Sequence, residues 1–132
     1  MSDSPTLCVL VIDDEPVVGR LLRRVLRGHN VEVETHAPTA MARLRQGESF
    51  DVIVCDLMMP ELAGWDLYYQ LDMIRPGLAE RVLFITGELA NPNINQFIDG
   101  CQQPLLEKPF DIALFRNELE AFAAALSQRS GG

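Results

Sequence analysis

The chain has 132 residues, 48% of them hydrophobic and 23% charged, which is typical of one globular domain with a sizeable core. Its net charge of −8 argues against nucleic-acid binding by this domain, because an acidic surface repels a phosphate backbone. No apolar run has the length of a membrane span and residues 1–5 are too polar for a signal peptide, so we expect a cytoplasmic domain without membrane contact.

Apolar periodicity predicts strands and helices that alternate along the chain. Residues 7–12 form a continuous apolar run, typical of a strand covered on both faces. Pro16 suits the first turn of the next helix, and residues 31–35 alternate apolar and polar side chains, as in a half-exposed edge strand. Further on, we predict helices over 39–46, 64–74 and 91–99, strands over 52–55, 82–85 and 105–107, and a last helix capped by Asp111.

The last predicted helix has an apolar stripe that we expect to face the core, followed by a frayed tail over 127–132. The stripe consists of Ile112, Leu114, Phe115, Leu119, Phe122 and Leu126. Residues 1–132 are predicted to form a single domain with its core over about 7–126. Because strand and helix alternate five times, the predicted fold class is α/β, a doubly wound sheet of five parallel strands with helices on both faces.

We expect structural roles, and no chemistry, for the cysteines, the histidines and the tryptophan. Cys8 and Cys55 lie in apolar strand-like runs, so we expect buried free thiols in a reducing cytoplasm. His29 and His36 flank the second strand without a partner pattern and are expected at the surface. Trp65 is the only tryptophan and is expected to be a packing residue.

Polar residues gather where four of the predicted strands end. A single aspartate at a strand end is usually a turn or capping residue. Sheets of this class, however, bind ligands beyond the carboxyl ends of their strands, so residues at those ends lie close together. The ends carry Asp13-Asp14-Glu15 after the first strand, Asp56 after the third, Thr86-Gly87 after the fourth and Lys108-Pro109 after the fifth.

The chemistry of this edge predicts a metal ion and a phosphoryl group. Two carboxylates about 4 Å apart repel by about 4 kcal/mol at an effective dielectric constant of about 20, so Asp13, Asp14 and Asp56 need a cation among them. Carboxylate oxygens without His or Cys favour a hard ion, and Mg²⁺ leaves positions for water and phosphate oxygens. Lys108 is the only lysine, a compact cation that can meet the oxygens of a phosphoryl group together with Thr86.

In this combination the motifs resemble the receiver domain of bacterial two-component response regulators. The resemblance covers about residues 7–126 and rests on Asp13-Asp14, Asp56-Leu57-Met58-Met59-Pro60 with Gly64, Thr86-Gly87 and Lys108-Pro109-Phe110. No motif is specific alone, but all of them occur in the family's order. The resemblance implies a flavodoxin-like sheet with strand order 2-1-3-4-5. The segment over residues 105–110 is similar to the corresponding segment of receivers attached to hybrid histidine kinases.

The resemblance implies that Asp56 is a phosphoacceptor, which takes a phosphoryl group from the phosphohistidine of a histidine kinase or a histidine phosphotransfer protein. Asp14 and Asp56 are then expected to bind Mg²⁺ directly and Asp13 through water, with the backbone carbonyl of Met58 as a further ligand. Mn²⁺ can substitute for Mg²⁺. Such a domain is not an enzyme, because it catalyses only its own phosphorylation and dephosphorylation. A downstream protein partner or a fused domain receives the signal.

Further roles follow from the same resemblance. Thr86 is expected to bond a phosphoryl oxygen and Lys108 to pair with it, and the bond between Lys108 and Pro109 is expected to be cis. Three residues flank the path of the hydrolytic water and are expected to tune the phosphate lifetime: Met58, Gly87 and Glu88. Because Met58 cannot hold that water as an amide could, we expect slow self-dephosphorylation.

Two features depart from the family's pattern. Leu105 stands where the family has a switch aromatic, three residues before the lysine. Residues 88–99 are rich in Asn and Pro and favour a helix only weakly. Output through the usual face of the fourth helix and fifth strand is therefore not expected in its usual form.

Three other functions fit parts of the pattern. A flavin mononucleotide binder shares the fold but needs a phosphate-binding loop after the first strand, where Asp13-Asp14-Glu15 would repel phosphate. A Mg²⁺-dependent aspartate-nucleophile phosphatase of the haloacid dehalogenase class needs two aspartates one residue apart on that strand, a pattern that Asp13-Asp14-Glu15-Pro16 breaks. A receiver-like interaction module without phosphorylation remains an alternative.

Overall fold

The computed structural model describes residues 5–87 and 91–131. Its strands, β1 to β5 in chain order, are Cys8–Ile12, Asn30–Glu34, Val52–Asp56, Val82–Thr86 and Leu105–Glu107. Its helices, α1 to α5, are Pro16–Val25, Ala37–Arg45, Gly64–Ile74, Pro92–Asp99 and Ile112–Gly131, and a 3-10 turn spans Ala79–Arg81. Every predicted strand and helix is present, and only the end of α5 differs by more than two residues.

All five strands run parallel in one sheet of order β2-β1-β3-β4-β5, which confirms the predicted fold class and strand order. The direction of winding reverses between β1 and β3, which are neighbours in the sheet. The carboxyl ends of these two strands therefore lie side by side at the switch point, where such sheets bind ligands. No helix in 5–87 or 91–131 is long and apolar enough to cross a membrane.

Two apolar cores cover the two faces of the sheet. Helices α2, α3 and α4 pack on one face through residues such as Leu44, Leu71 and Phe97. Helices α1 and α5 pack on the other face, where Leu22 and Phe115 are buried. Strand β3 is buried along its whole length because it lies between both layers. The two layers hold the strand ends in a fixed arrangement.

The first turns of α5 differ from the predicted apolar stripe. Phe115, Leu119 and Leu126 are buried as predicted, and Phe122 is half-buried. Leu114 is 51% exposed, because it lies about 100° away from Phe115 around the helix. Ile112, in the first turn, is 57% exposed. The expectation that both residues face the core is therefore wrong.

Helix α5 continues to Gly131, so residues 127–131, where we expected a frayed tail, are helical in the structure. The helix thus extends beyond Leu126, the last residue of the apolar stripe that predicted it. Arg129 pairs with Glu80 across a distance of 3.7 Å, which ties the last turns of α5 to the 3-10 turn before β4. The last turns of α5 therefore extend beyond its last buried residue, Leu126.

Two predictions about burial are wrong at the amino edge of the sheet. Cys8 is exposed, because it is the first residue of β1 and lies at the rim, whereas Cys55 is buried as predicted. The side chain of His29 is only 4% exposed. Its Nδ1 accepts the backbone N–H of Leu7 at 3.0 Å, and its Nε2 lies 2.7 Å from Glu120 Oε2. His36 is exposed, as predicted.

Candidate functional site

Parallel register brings the predicted site residues together at the carboxyl edge. Ile12 of β1 lies opposite Cys55 of β3, so the residues that follow them, Asp13 and Asp56, are neighbours. Strands β4 and β5 are paired at Thr86, and the backbone N–H of Lys108 donates to the Thr86 carbonyl at 2.8 Å. The peptide bond from Lys108 to Pro109 is cis, which agrees with the prediction.

Lys108 lies among three carboxylates. Its Nζ is 3.0 Å from Asp13 Oδ2, 2.9 Å from Glu15 Oε1 and 3.3 Å from Asp56 Oδ2. The contact with Asp13 is within ion-pair distance but lacks the alignment of a hydrogen bond. The other Asp13 oxygen, Oδ1, accepts the backbone N–H of Glu15 at 2.9 Å. One ammonium therefore offsets only part of the negative charge.

The loop after β3 holds Asp56 in place. The backbone N–H of Met58 donates to Asp56 Oδ1 at 3.1 Å, and the N–H of Gly64 donates to the Leu57 carbonyl at 3.0 Å. A Cβ at Gly64 would lie 2.4 Å from the Asp56 carbonyl oxygen, so only glycine permits this approach. The start of α3 is thus packed directly against the backbone of the predicted phosphoacceptor.

Burial governs the charge states at this edge. Asp56 is 4% exposed and Asp13 is fully buried. The pKa of Asp56 is raised to about 6, mainly by burial and also by the charge of Asp13, against the lowering effects of the Met58 amide and Lys108. Burial also raises the pKa of Asp13, against the Glu15 amide and Lys108. Both carboxyl groups are therefore costly to ionise, since Lys108 is the one cation that contacts them among residues 5–87 and 91–131.

Lys108 stays firmly protonated in this environment. Partial burial lowers the pKa of its ammonium, but the hydrogen bond to Glu15 and the close contact with the Asp13 carboxylate outweigh that effect. The net result is a pKa above the usual lysine value. Lys108 is therefore a permanent positive charge beside Asp56.

A cleft of about 220 Å³ opens over Asp56. It is lined by Asp14, Glu15, Asp56, Met58, Gly87 and Lys108. One oxygen each from Asp13, Glu15 and Asp56 lies within 4.8 Å of the others, an arrangement of hard oxygen donors that fits Mg²⁺. Asp14 is exposed on the cleft wall and is outside this group of three.

Glu15 is the site residue to which the sequence pattern assigned no role. Its side chain is 57% exposed, yet it makes the shortest of the three contacts with Lys108. The signal in the sequence is the unbroken acidic run Asp13-Asp14-Glu15. Strand alternation could not show that the third acid turns back towards the cleft, because the strand has already ended at Ile12.

The remaining predicted residues have varied positions. Thr86 is fully buried at the end of β4 and Gly87 is exposed beside it. Glu88 lies outside the described residues. Leu105, at the position of the family's switch aromatic, is half-buried against the core beneath α4. Trp65 packs against the same core, as predicted, with its ring centroid 6.4 Å from that of Phe97.

Comparison with known proteins decides the family. The sequence model of the response regulator receiver domain matches residues 9–120. The chain belongs to this family. As a receiver domain it is a component of two-component systems, in which response regulators carry the receiver.

Curated relatives of the receiver include regulators of different lengths. The probable transcriptional regulatory protein TcrX of Mycobacterium tuberculosis is 31% identical over 98% of this chain and 53% of its own length. The response regulator receiver protein CpdR of Brucella abortus is 30% identical over 89% of this chain and 97% of its own length. The chain thus spans about half of TcrX but nearly all of CpdR.

Solved structures share the fold. A response regulator receiver domain protein from Clostridium thermocellum is 25% identical, with a TM-score of 0.71 over 93% of this chain and 95% of that one. The receiver domain of sensor histidine kinase PA1611 from Pseudomonas aeruginosa, described with a magnesium ion in its active site cleft, has a TM-score of 0.74 at 20% identity, over 91% of this chain and 99% of that one. The second likeness shows the fold alone.

Proposed function

We propose that this receiver accepts a phosphoryl group on Asp56 from the phosphohistidine of a histidine kinase or histidine phosphotransfer protein, with Mg²⁺ as cofactor. The observation that carries the proposal is the arrangement around Asp56. A buried carboxylate lies under an open cleft, 3.3 Å from a permanently charged ammonium and beside two further carboxylates. A carboxylate that served only as a turn residue would have no need of this surrounding charge.

The residues fit Mg²⁺, and Mn²⁺ can take its place. We propose Asp14 and Asp56 as direct ligands, Asp13 as a ligand through water and the Met58 carbonyl as a further oxygen. A divalent cation would supply positive charge that lowers the repulsion between these carboxylates and the incoming phosphoryl oxygens. The all-oxygen donor set, in which Asp13 and Asp56 are buried, supports this proposal, since one cation lies among three carboxylates.

In the proposed reaction an oxygen of Asp56 attacks phosphorus. A phosphorus–oxygen bond forms as the phosphorus–nitrogen bond to the donor imidazole breaks, and the electron pair leaves with that imidazole. The role of the chain is mainly positioning and charge, as in other phosphoryl transfers. The Met58 amide orients Asp56 through Oδ1, and Lys108 offers its ammonium on the side of Oδ2. Thr86, at the end of β4, is proposed to bond a phosphoryl oxygen.

The proposal makes the domain a phosphoacceptor and not a catalyst for external substrates. We further propose that it acts in the cytoplasm and that phosphorylation changes its contacts with a downstream protein or a fused domain. Leu105 in place of an aromatic residue means that this change cannot use the usual aromatic rotation.

Intact-mass measurement after incubation with acetyl phosphate and Mg²⁺ tests the proposal. We expect the wild type to gain one phosphoryl group, and neither Asp56→Ala nor metal-free wild type to gain it. Asp99→Ala, which changes an exposed aspartate on α4, is the matched control and should be labelled normally. Equal labelling of wild type and Asp56→Ala would refute the assignment, and labelling without a divalent ion would refute the cofactor.

A further inference from the structure

An exposed apolar stripe runs along α3 beside a groove. Trp65, Tyr69 and Met73 follow one another at intervals of four residues and therefore lie on one side of the helix. Tyr69 is 65% exposed and Met73 is 85% exposed, the two largest exposures among the large apolar side chains described. Trp65 is half-buried. Aromatic residues and methionine exposed in this way are typical of interaction surfaces.

The groove lies between α3 and α4 and has a rigid aromatic floor. Its volume is about 550 Å³, and it is lined by Trp65, Tyr69, Asn93, Gln96 and Phe97. The Phe97 ring lies 5.3 Å from that of Phe84 in the core and 5.8 Å from that of Tyr69 at the surface, both edge to face. Because Phe97 is only 8% exposed, the floor is already ordered and costs little entropy when a partner binds.

The two helices that flank the groove are acidic, and this charge restricts the partner. Helices α3 and α4 contain Asp66, Asp72 and Asp99 but no lysine or arginine. Arg75, just after α3, is engaged elsewhere, with its guanidinium donating to the carbonyls of Leu44 and Glu48. Such a surface repels nucleic acid and anionic lipid. A second copy of the chain is also disfavoured, since a two-fold contact would place these acids against their own copies.

We propose that the α3–α4 groove docks an amphipathic helix of a partner protein, with apolar residues against Tyr69 and Phe97 and basic residues opposite Asp66 and Asp99. A helix fits because the stripe from Trp65 to Met73 is about 12 Å long and runs along α3 beside the groove. Apolar side chains of a docking helix recur at the same three- and four-residue spacing. The side chains of Asn93 and Gln96 lie on the rim, where they can bond polar groups.

Fluorescence of Trp65 can report binding in the groove, because this residue is the only tryptophan of the sequence and lines the groove. We would titrate unphosphorylated protein with a synthetic 18-residue helix-forming peptide that has leucines on one face and arginines on the other. We expect a blue shift and saturable change of Trp65 fluorescence, with a dissociation constant at least tenfold lower than for the same peptide with glutamates in place of arginines. Equal binding of both peptides, or no saturable signal with either, would overturn the proposal.

Variants locate the binding. Tyr69→Ala should weaken binding of the arginine peptide about tenfold, and Asp66→Asn with Asp99→Asn should weaken it about threefold at low salt. Leu114→Ala removes an equally accessible apolar side chain from α5 and should change nothing. Unchanged affinity in Tyr69→Ala would show that the groove is not the docking site. Two further outcomes would refute the assigned partner. One is that the protein binds a proline-rich peptide or anionic vesicles in preference to the arginine peptide. The other is that the wild type dimerises and Tyr69→Ala does not. None of these outcomes bears on phosphorylation of Asp56.

Discussion

In the described part of the chain, two clusters each hold three carboxylates around one cation. At the carboxyl edge, Lys108 lies among Asp13, Glu15 and Asp56. On the β2–α2 surface, Arg43 pairs with Glu32, with Glu34 at 3.1 Å and with Glu48 at 2.8 Å. The charge counts are the same. The environments differ, because the first cluster contains two buried carboxylates and the second contains none.

This difference reverses the direction of the pKa shifts. Burial raises the pKa of Asp56 to about 6, and the hydrogen bond from Arg43 lowers the pKa of Glu48. Hydrogen bonds from Glu48 and Glu32 likewise raise the pKa of Arg43. The guanidinium forms paired hydrogen bonds at an exposed surface, where water solvates the remaining oxygens. The surface cluster is therefore stable as it stands, whereas the buried cluster is short of positive charge.

The largest effect is expected on stability. Between about pH 4 and pH 6 the folded state binds a proton on Asp56 more readily than the unfolded state, so metal-free stability falls as pH rises through this range. At pH 7, Asp56→Asn removes the buried charge and should raise the metal-free unfolding free energy by about 2 kcal/mol, less than the full electrostatic value because solvent reaches the cleft.

Arg43→Met removes the cation of the surface cluster and should therefore destabilise the protein, lowering the melting temperature by a few degrees with or without Mg²⁺.

Urea unfolding at pH 4 and pH 7 measures the effect of Asp56→Asn on the unfolding free energy, which should disappear at the lower pH. A destabilising Asp56→Asn at pH 7 without metal would contradict the account of a charge-deficient site.

Mg²⁺ affinity should depend on pH at the buried cluster. Protons compete with Mg²⁺ for Asp56 below its pKa of about 6, so affinity should fall about tenfold from pH 7 to pH 5. Isothermal titration calorimetry at several pH values measures the affinity, and Glu34→Gln in the surface cluster should leave the profile unchanged. A flat profile between pH 5 and pH 7 would show that Asp56 does not bind the ion as a carboxylate.

An effect of similar size is expected on the phosphate lifetime, because the side chain of Met58, which lines the cleft beside the buried cluster, is neutral. Met58 lines the cleft and has only a weak sulfur acceptor for the hydrolytic water. Met58→Asn should quicken decay of the Asp56 phosphate about tenfold, which corresponds to about 1.4 kcal/mol of barrier. Leu114→Ala is the control, since Leu114 is exposed on α5 and does not line the cleft. Decay that is unchanged or slower in Met58→Asn would exclude this residue as the determinant.

The smallest effect separates the two acids that follow Asp13. If Asp14 is the direct ligand and Glu15 mainly holds Lys108, then Glu15→Gln should reduce Mg²⁺ affinity no more than about threefold, and Asp14→Asn should reduce it more. Calorimetry on the two isosteric variants gives the order. If Glu15→Gln reduces the affinity more than Asp14→Asn does, Glu15 is the direct ligand. Its carboxylate lies close enough to those of Asp13 and Asp56 to serve as one.

The apolar pattern predicted both the elements and the edge at which the site forms. Continuous apolar runs marked the buried strands, and helical spacing marked the helices between them, because both patterns record the local repeat of the backbone. Parallel strands then bring Asp13, Asp56, Thr86 and Lys108 to one edge, whatever the loops do. The composition of the site was therefore determined by the sequence order of its motifs.

Burial and mutual orientation were decided only by the tertiary structure. The buried ring of His29 depends on contacts with Leu7 and Glu120, far away in the chain. The contact of Glu15 with Lys108 joins residues 93 positions apart through the turns of two loops. The local periodicity of the sequence does not predict contacts between residues that are so far apart in the chain. The sequence by itself thus determined which groups meet at the site, and non-local packing decided which of them are charged, buried or free to move.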